Sequence, residues 1–286
     1  MLLSLRNTIQ EPSCTLSAIL QALKSPAGQR VVWVVVEAEE DVAVYEKFVL
    51  VDSTIVKTSV DETGRMGYAN VQTIVRDIKK EDPKAHIIGI RDADYALYND
   101  KYVVPENIFL TDHRDVEMML LEAESVKQAL RAWMPSYDEV FARCIPICRY
   151  FGYLRIYNEL ANLSVRFHDN LSPNKYWDYQ KQAMKVGWEQ DSTTQFAVLS
   201  NGKCVEEDVK AFIITHKLEE ESLYDVCRGH DMLKLLSLNL IDVQTYSTPC
   251  IMTKITDAYS LSDFKATRLY KSIFNWQIAE GVIALL

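Results

Sequence analysis

Val31-Val32-Trp33-Val34-Val35-Val36 is an unbroken apolar run, rich in β-branched residues, that stops on Glu37. Continuous apolarity suits a central parallel strand buried on both faces, because a half-solvated strand alternates apolar with polar residues. A second run, His86-Ile87-Ile88-Gly89-Ile90, stops on Arg91-Asp92-Ala93-Asp94. Carboxylates gathered at strand ends repel one another, and some are forced neutral unless a cation compensates.

Outward from these runs, strand and helix patterns alternate. Thr15 to Lys24 reads as a short helix ended by Ser25-Pro26-Ala27-Gly28. Glu39 to Leu50 has helical spacing, with Glu39, Glu40 and Asp41 in the first turn, where the helix dipole favours acids. Thr54 to Thr58 reads as a strand, Tyr68 to Lys80 as a helix, Ala85 to Ile90 as a strand, Asn107 to Leu110 as a short strand and Val116 to Leu130 as a helix. This order predicts an α/β fold, a small parallel sheet with right-handed crossovers flanked by helices. Ligands of such sheets bind beyond the carboxyl ends of the strands, where Glu37, Asp92 and Asp94 fall.

After Trp133-Met134-Pro135 the patterns are mainly helical: Tyr137 to Leu163, Val205 to His216, Leu223 to Leu240 and Asp263 to Ala284, with Ser164 to Leu171 a strand or an extended connection. The expected organisation is an N-terminal helix and linker over 1–28, an α/β domain over 29–134 and a mainly helical domain over 135–286.

The chain has 286 residues, enough for one sizeable core or two modest ones, and a formal net charge of −9. That charge argues against holding nucleic acid by bulk electrostatics, so any such binding needs a local patch, a metal or a partner. Six scattered cysteines and no secretory-type start point to reduced thiols in the cytoplasm. Cys144 and Cys148, one helical turn apart, read as small core residues rather than half of a zinc site. No apolar stretch is long enough to span a bilayer, so no membrane partner is expected.

Alternate residues of an extended segment share a face, so Asp92 and Asp94 are expected to point the same way. Asp41 lies four residues beyond Glu37 across a strand-to-helix turn, and Glu117 sits early in a helix whose neighbours Met118 to Leu121 are apolar, which predicts partial burial. Oxygen-only acids favour Mg²⁺ or Mn²⁺ over zinc, and that donor chemistry points to phosphate transfer or hydrolysis.

Val36-Glu37-Ala38-Glu39-Glu40-Asp41 and Gly89-Ile90-Arg91-Asp92-Ala93-Asp94 together resemble the Toprim fold of topoisomerases, DnaG-type primases and OLD nucleases. Val44-Tyr45-Glu46-Lys47-Phe48 and Thr111-Asp112-His113-Arg114-Asp115-Val116-Glu117 narrow the resemblance to a bacterial Toprim-like family encoded beside ABC-type ATPases, which includes effectors of PARIS anti-phage defence. It covers roughly residues 31–130, with Gly229-His230-Asp231 as a further shared feature. The resemblance implies a Rossmann-like Toprim domain and a metal-dependent nuclease acting on RNA, with tRNA one candidate, or on DNA. Glu37, Asp92 and Asp94 would be catalytic, and Glu37, Asp41, Asp92, Asp94 and Glu117 would hold the metal. An ABC-type ATPase subunit, a nucleic acid substrate and a second copy of the chain on release are the implied partners. The competing reading is a non-catalytic binding or sensor subunit of the ATPase complex. Two departures stand out: Ala38 where the Toprim pattern has glycine, and Arg91, a cation directly before the acid pair.

Weaker signals remain. Gly64-Arg65-Met66-Gly67 precedes a helix but lacks the Lys and Ser/Thr of a P-loop and reads as a connector. His113 and His230 are candidates for proton transfer, although lone histidines are more often cap or surface residues. Lys265, Arg268 and Lys271 recur every three residues and suggest a phosphate-contacting stripe, with a solvated face as the default. Tyr270, Phe274 and Trp276 read as core or interface residues.

Overall fold

Val32–Val36 forms strand β1, and all five of its residues are buried, in a computed structural model that describes residues 14–99, 101–167, 171–240 and 246–286. Two compact units make up the chain: Met1–Ala93 with Tyr102–Asp112 and Ser260–Leu286, and Asp94–Lys101 with His113–Tyr259. Of the N-terminal segment expected over 1–28, residues 1–13 lie outside the described residues.

In the first unit the order is helix α1 (Thr15–Leu23), β1, α2 (Glu39–Tyr45) continued by a 3₁₀ turn at Glu46–Phe48, β2 (Thr54–Thr58), α3 (Tyr68–Glu81), β3 (Ile87–Arg91) and β4 (Ile108–Leu110). The four strands are all parallel in the order β2-β1-β3-β4. Val34 pairs with Val56 on one side and Ile88 on the other. The chain leaves β1 for β2 on one flank and reaches β3 on the other, so the topological switch point lies between β1 and β3.

Because β1 is apolar all along, both faces need cover. On one face Trp33, Val35, Ile55, Ile87 and Ile108 pack against Ile19 and Leu23 of α1 and Val71, Ile74, Val75 and Ile78 of α3. Thr15 anchors α1 to the end of β2, its hydroxyl donating to the Thr58 carbonyl at 2.6 Å. A side chain at Gly89 would put its Cβ 2.5 Å from Val71 Cγ1 and 2.7 Å from Ile108 Cδ1, so α3 sits directly on this glycine.

The second unit is mainly helical: α4 (Val116–Glu122), α5 (Glu124–Trp133), α6 (Tyr137–Leu160), a two-stranded antiparallel pair β5 (Trp177–Asp178) and β6 (Ala183–Met184), then α7 (Trp188–Leu199), α8 (Glu206–Thr215), α9 (Leu223–Val226), α10 (Gly229–Asn239) and α11 (Thr248–Ala258). Residues of α6 are buried on most sides, from Val140 and Cys144 to Leu154 and Ile156, which makes it the central helix of this unit. Leu154 and Ile156 join Phe196, Val209, Ile213 and Val226 in its core.

Two expected helices are interrupted here. The one over Val116 to Leu130 breaks at Ala123, which turns extended (ψ 135°), and the one over Leu223 to Leu240 breaks at Cys227 and Arg228. Ser164 to Phe167 form no strand, and 168–170 lie outside the described residues. The pair β5/β6 and helices α7 and α11 were not among the sequence expectations.

The chain then returns to the first unit with α12 (Leu261–Ala266) and α13 (Arg268–Glu280), one expected helix broken at Thr267. Thr267 caps α13 by accepting the Tyr270 amide at 2.9 Å. This segment covers the second face of the sheet: Phe264, Ile273, Ala284 and Leu285 meet Val34, Ile88, Ile90, Tyr45 and Val49. Phe264 stacks on Phe48, ring centroids 4.8 Å apart. The Gln277 side chain accepts the Ala284 and Leu285 amides at 3.0 and 3.1 Å, and Leu50 N–H donates to the Ala284 carbonyl at 2.8 Å. No described helix is long and apolar enough to cross a membrane.

Because Gly89 has no room for a side chain between β3 and α3, Gly89→Val is expected to lower stability by about 1–3 kcal/mol. A urea midpoint equal to that of the parent chain would show that the helix moves aside freely.

Candidate functional site

Glu37 follows the last residue of β1 and Asp92 the last residue of β3, adjacent strands at the switch point. The structure brings the two together: Glu37 Oε1 accepts the Asp92 backbone N–H at 3.0 Å. The Asp92 carbonyl in turn accepts from Arg91 Nε at 3.2 Å, so both backbone polar groups of Asp92 are held by charged side chains. On the other flank, fully buried Ser59 lies within hydrogen-bond reach of the Glu37 carbonyl (3.3 Å) and accepts the Gly67 amide at 3.0 Å, tying the end of β2 and the start of α3 to the same place.

Ala38, the departure from the glycine pattern, is extended (φ −136°, ψ 170°), a conformation any residue adopts. It precedes α2, and Asp41 Oδ2 accepts its amide at 2.9 Å. Asp41 is buried, and this bond gives it a helix-capping role.

Arg91 turns away from the acids. Its guanidinium carbon lies 4.8 Å from the Tyr68 ring centroid and 5.3 Å from that of Tyr102, and Nη1 donates to the Tyr102 hydroxyl at 2.6 Å.

The expected alternation of Asp92 and Asp94 ends before Asp94. Strand β3 stops at Arg91, and Asp94 takes a left-handed φ of 44° to open the 3₁₀ turn Asp94–Tyr98, a conformation Asp tolerates better than most residues. The division between the units falls at this point, so Asp92 belongs to the first and Asp94 to the second.

Thr111 to Asp115 prove to be a run of structural anchors. Thr111 Oγ1 accepts the Ala93 amide at 2.9 Å. Asp112 accepts the Arg268 and Leu269 amides at 2.7 and 2.8 Å and so caps α13, and Arg268 donates back to its carbonyl. The three cations do not share one helix: Lys265 and Arg268 lie on different helices, Arg268 is engaged by Asp112, and Lys271 donates to the Ala266 carbonyl.

In the second unit, His113 bridges Asp225 (2.7 Å from Nδ1) and Glu122 (2.6 Å from Nε2). Burial works against its charge, but the two carboxylates prevail and raise its pKa above the usual 6.5. The Arg114 guanidinium is buried, donates to the Val226 carbonyl and stacks on Tyr95. Burial opposes its charge too, while Tyr95, Asp94 and Asp115 hold it protonated. Asp115 caps α4 through the Met118 amide at 3.0 Å and accepts the Gly229 amide at 2.8 Å. Burial pushes its carboxyl up against the pull of those amides.

Glu117, in the first turn of α4, is half-buried as expected. A Cβ at Gly229 would meet Glu117 Cβ at 2.4 Å and Asp115 Oδ1 at 2.5 Å, which explains the glycine of Gly229-His230-Asp231. Asp231 pairs with Arg155 through Nη2 and Nε at 2.8 and 3.1 Å, both side chains buried, whereas His230 is exposed. The arginines and anchors of the second unit could have been suspected only from their charge in an apolar setting; their partners are remote in sequence.

Glu37 and Asp92 are oxygen donors with no His or Cys beside them in the strand-end motifs, a chemistry suited to a hard divalent cation that takes much of its coordination from water and a substrate phosphate. Among the described residues no group of three or more His, Cys, Asp or Glu side chains is gathered for a metal ion. Six cysteines are free, and Cys144 and Cys148 are both buried on α6. No protein-family model matches the chain, and no curated protein matches it.

The raised pKa of His113 fixes the sign of its pH dependence. Its stabilising contribution is fully present below about pH 6.5 and is lost as pH rises through the folded value. The difference in melting temperature between the parent chain and His113→Gln is therefore expected to shrink from pH 6 to pH 9, and a difference that grows would refute the charged bridge. Asp231→Ala leaves a buried, unpaired Arg155 and is expected to cost about 3–5 kcal/mol, read as a lowered denaturation midpoint.

Proposed function

We propose that the chain is a metal-dependent Toprim-type nuclease that hydrolyses phosphodiester bonds in RNA, with tRNA one candidate, or in DNA. In this reading it is the toxic effector of a bacterial anti-phage defence system, controlled by an ABC-type ATPase subunit and resembling AriB of the PARIS system. The observation that carries the reading is the hydrogen bond from the Asp92 backbone amide to the Glu37 carboxylate at the switch point of a parallel sheet, where ligands of such sheets bind.

Glu37 and Asp92 would hold Mg²⁺ or Mn²⁺. The resemblance adds Asp41, Asp94 and Glu117 to the set. When bound, the ion supplies Lewis-acid polarisation of the phosphoryl group and makes a neutral-pH nucleophile of water. Glu37 is the chain's own candidate for accepting the proton of the attacking water. One of its carboxylate oxygens is positioned by the Asp92 amide. Arg91, sequestered by Tyr68 and Tyr102, does not compete with the ion for the acids.

A non-catalytic binding or sensor subunit is the second reading. It is favoured by the structural duties of Asp41, Asp112 and Asp115, residues of the acidic motifs that are occupied in capping helices.

Glu37→Gln keeps an oxygen for the Asp92 amide while removing the charge, and Glu37→Ala removes both. Cleavage of total RNA and plasmid DNA in Mg²⁺ or Mn²⁺, by the chain alone and with its ATPase partner, is expected to fall on the order of 10³-fold in both variants. Variants that fold and cleave like the parent chain would sink the nuclease reading in favour of the binding subunit.

A further inference from the structure

We propose that Tyr68, backed by Arg91, is a stacking platform for an unpaired base of a single-stranded nucleic acid beside Glu37 and Asp92. The inference rests on the nuclease reading of that acid pair and names its substrate as single-stranded.

The platform is assembled from three segments of the first unit. Tyr68 is the first residue of α3, and Gln72 lies one turn later on the same helix face. Gln72 Nε2 donates to the Tyr102 hydroxyl at 3.0 Å, and Arg91 Nη1 donates to the same oxygen at 2.6 Å. The Arg91 guanidinium is thereby fixed against Tyr68 and Tyr102, and its Nε holds the Asp92 carbonyl. Ser59 links the amide of Gly67, the residue before Tyr68, to the Glu37 carbonyl. A cation–π contact thus joins the ring to the guanidinium, and hydrogen bonds join the guanidinium to Asp92 and, through Ser59, the backbone of Gly67 to that of Glu37.

Three properties of this cluster suit a nucleotide. Arg91 is only 6 % exposed, yet Tyr68 keeps 52 % of its surface open. A half-exposed ring fixed by a cation binds a base with little further loss of side-chain freedom. Second, the acceptors at Arg91 Nη1 and Nε are a phenol and a carbonyl, both neutral, so its positive charge still attracts a phosphate. Exposed Arg65 adds a second cation in the loop before Tyr68. Third, Met66, Val103 and Val104, close to the two tyrosines in sequence, are exposed apolar side chains of the kind a base or sugar covers.

A chain of net charge −9 cannot gather a polyanion by its overall field, whereas stacking and one local guanidinium suffice for a short single strand. A duplex keeps its bases stacked on each other and has none to offer the ring.

The test is fluorescence anisotropy of short labelled oligonucleotides, RNA and DNA, single-stranded and duplex, with the full chain in EDTA so that nothing is cleaved. Single strands are expected to bind more tightly than duplexes, and Tyr68→Ala to weaken that binding roughly 5- to 150-fold. Tyr68→Phe and Tyr68→Trp keep a ring and should bind like the parent. The RNA and DNA arms distinguish the sugar. No binding by the parent chain, tighter binding of duplex, or a Tyr68→Ala variant that binds like the parent would each overturn the platform; a protein partner for this surface would then be the alternative. Cleavage separates the two claims. Binding through Tyr68 without Glu37-dependent cleavage leaves the platform standing and removes the nuclease, and Glu37-dependent cleavage with unchanged Tyr68→Ala binding does the reverse.

Discussion

A strand made only of apolar residues has to be covered on both faces, and β1 imposes that requirement on everything around it in the first unit. Trp33 and Val35 need one layer, supplied by α1 and α3; Val34 needs the other, supplied by Tyr45, Val49 and the segment that returns with α12 and α13. Burying a Val or Ile side chain contributes roughly 1.5–3 kcal/mol, so leaving either face open would forfeit a large part of a domain's marginal stability. The return of the chain end to this sheet is a consequence of that constraint. It is fixed by specific hydrogen bonds, with Asp112 capping α13 and Gln277 holding the final residues.

The same sheet order places the chemistry. With β2 and β3 on opposite flanks of β1, the switch point falls between the strands that end at Glu37 and Asp92, the place where ligands of such sheets bind. Around them, charged side chains mostly serve other side chains and amides. Glu37 holds Asp92, Arg91 holds both Asp92 and the tyrosine pair, and Asp41 holds the turn at Ala38. The second unit follows the same economy. His113, Arg114, Asp115, Arg155 and Asp231 form buried or half-buried polar connections in which each charge has a compensating partner, as low-dielectric surroundings demand.

Much of the α/β layer was legible because its signals are local. The continuous apolarity of Val31 to Val36, the helical spacing from Tyr68 to Lys80 and the acid-rich start at Glu39 each depend only on neighbours in sequence, and the strands and helices fall within a residue or two of those patterns. Interruptions were harder. Ala123 and Thr267 lie within helical periodicity, and the chain breaks there with an extended ψ that periodicity does not encode. Ser247 with Pro249 is a helix start for α11 that is written in the sequence itself. The four-residue pair β5/β6 is too short to leave an alternation at all.

The sequence by itself determined the parallel α/β layer, the acids at its strand ends and the helical character of much that follows, because each is written in spacing, composition and capping residues. Tertiary structure alone decided which of the acidic motifs are joined. Glu37 and Asp92 are joined by strand order, whereas Asp94, two residues beyond Asp92, turns left-handed and joins another unit. It also decided that Arg91 faces tyrosines instead of carboxylates and that residues 111–115 serve as anchors. Those outcomes depend on partners tens to more than a hundred residues away, and pairing over such distances is set by packing and hydrogen-bond geometry that no local pattern records.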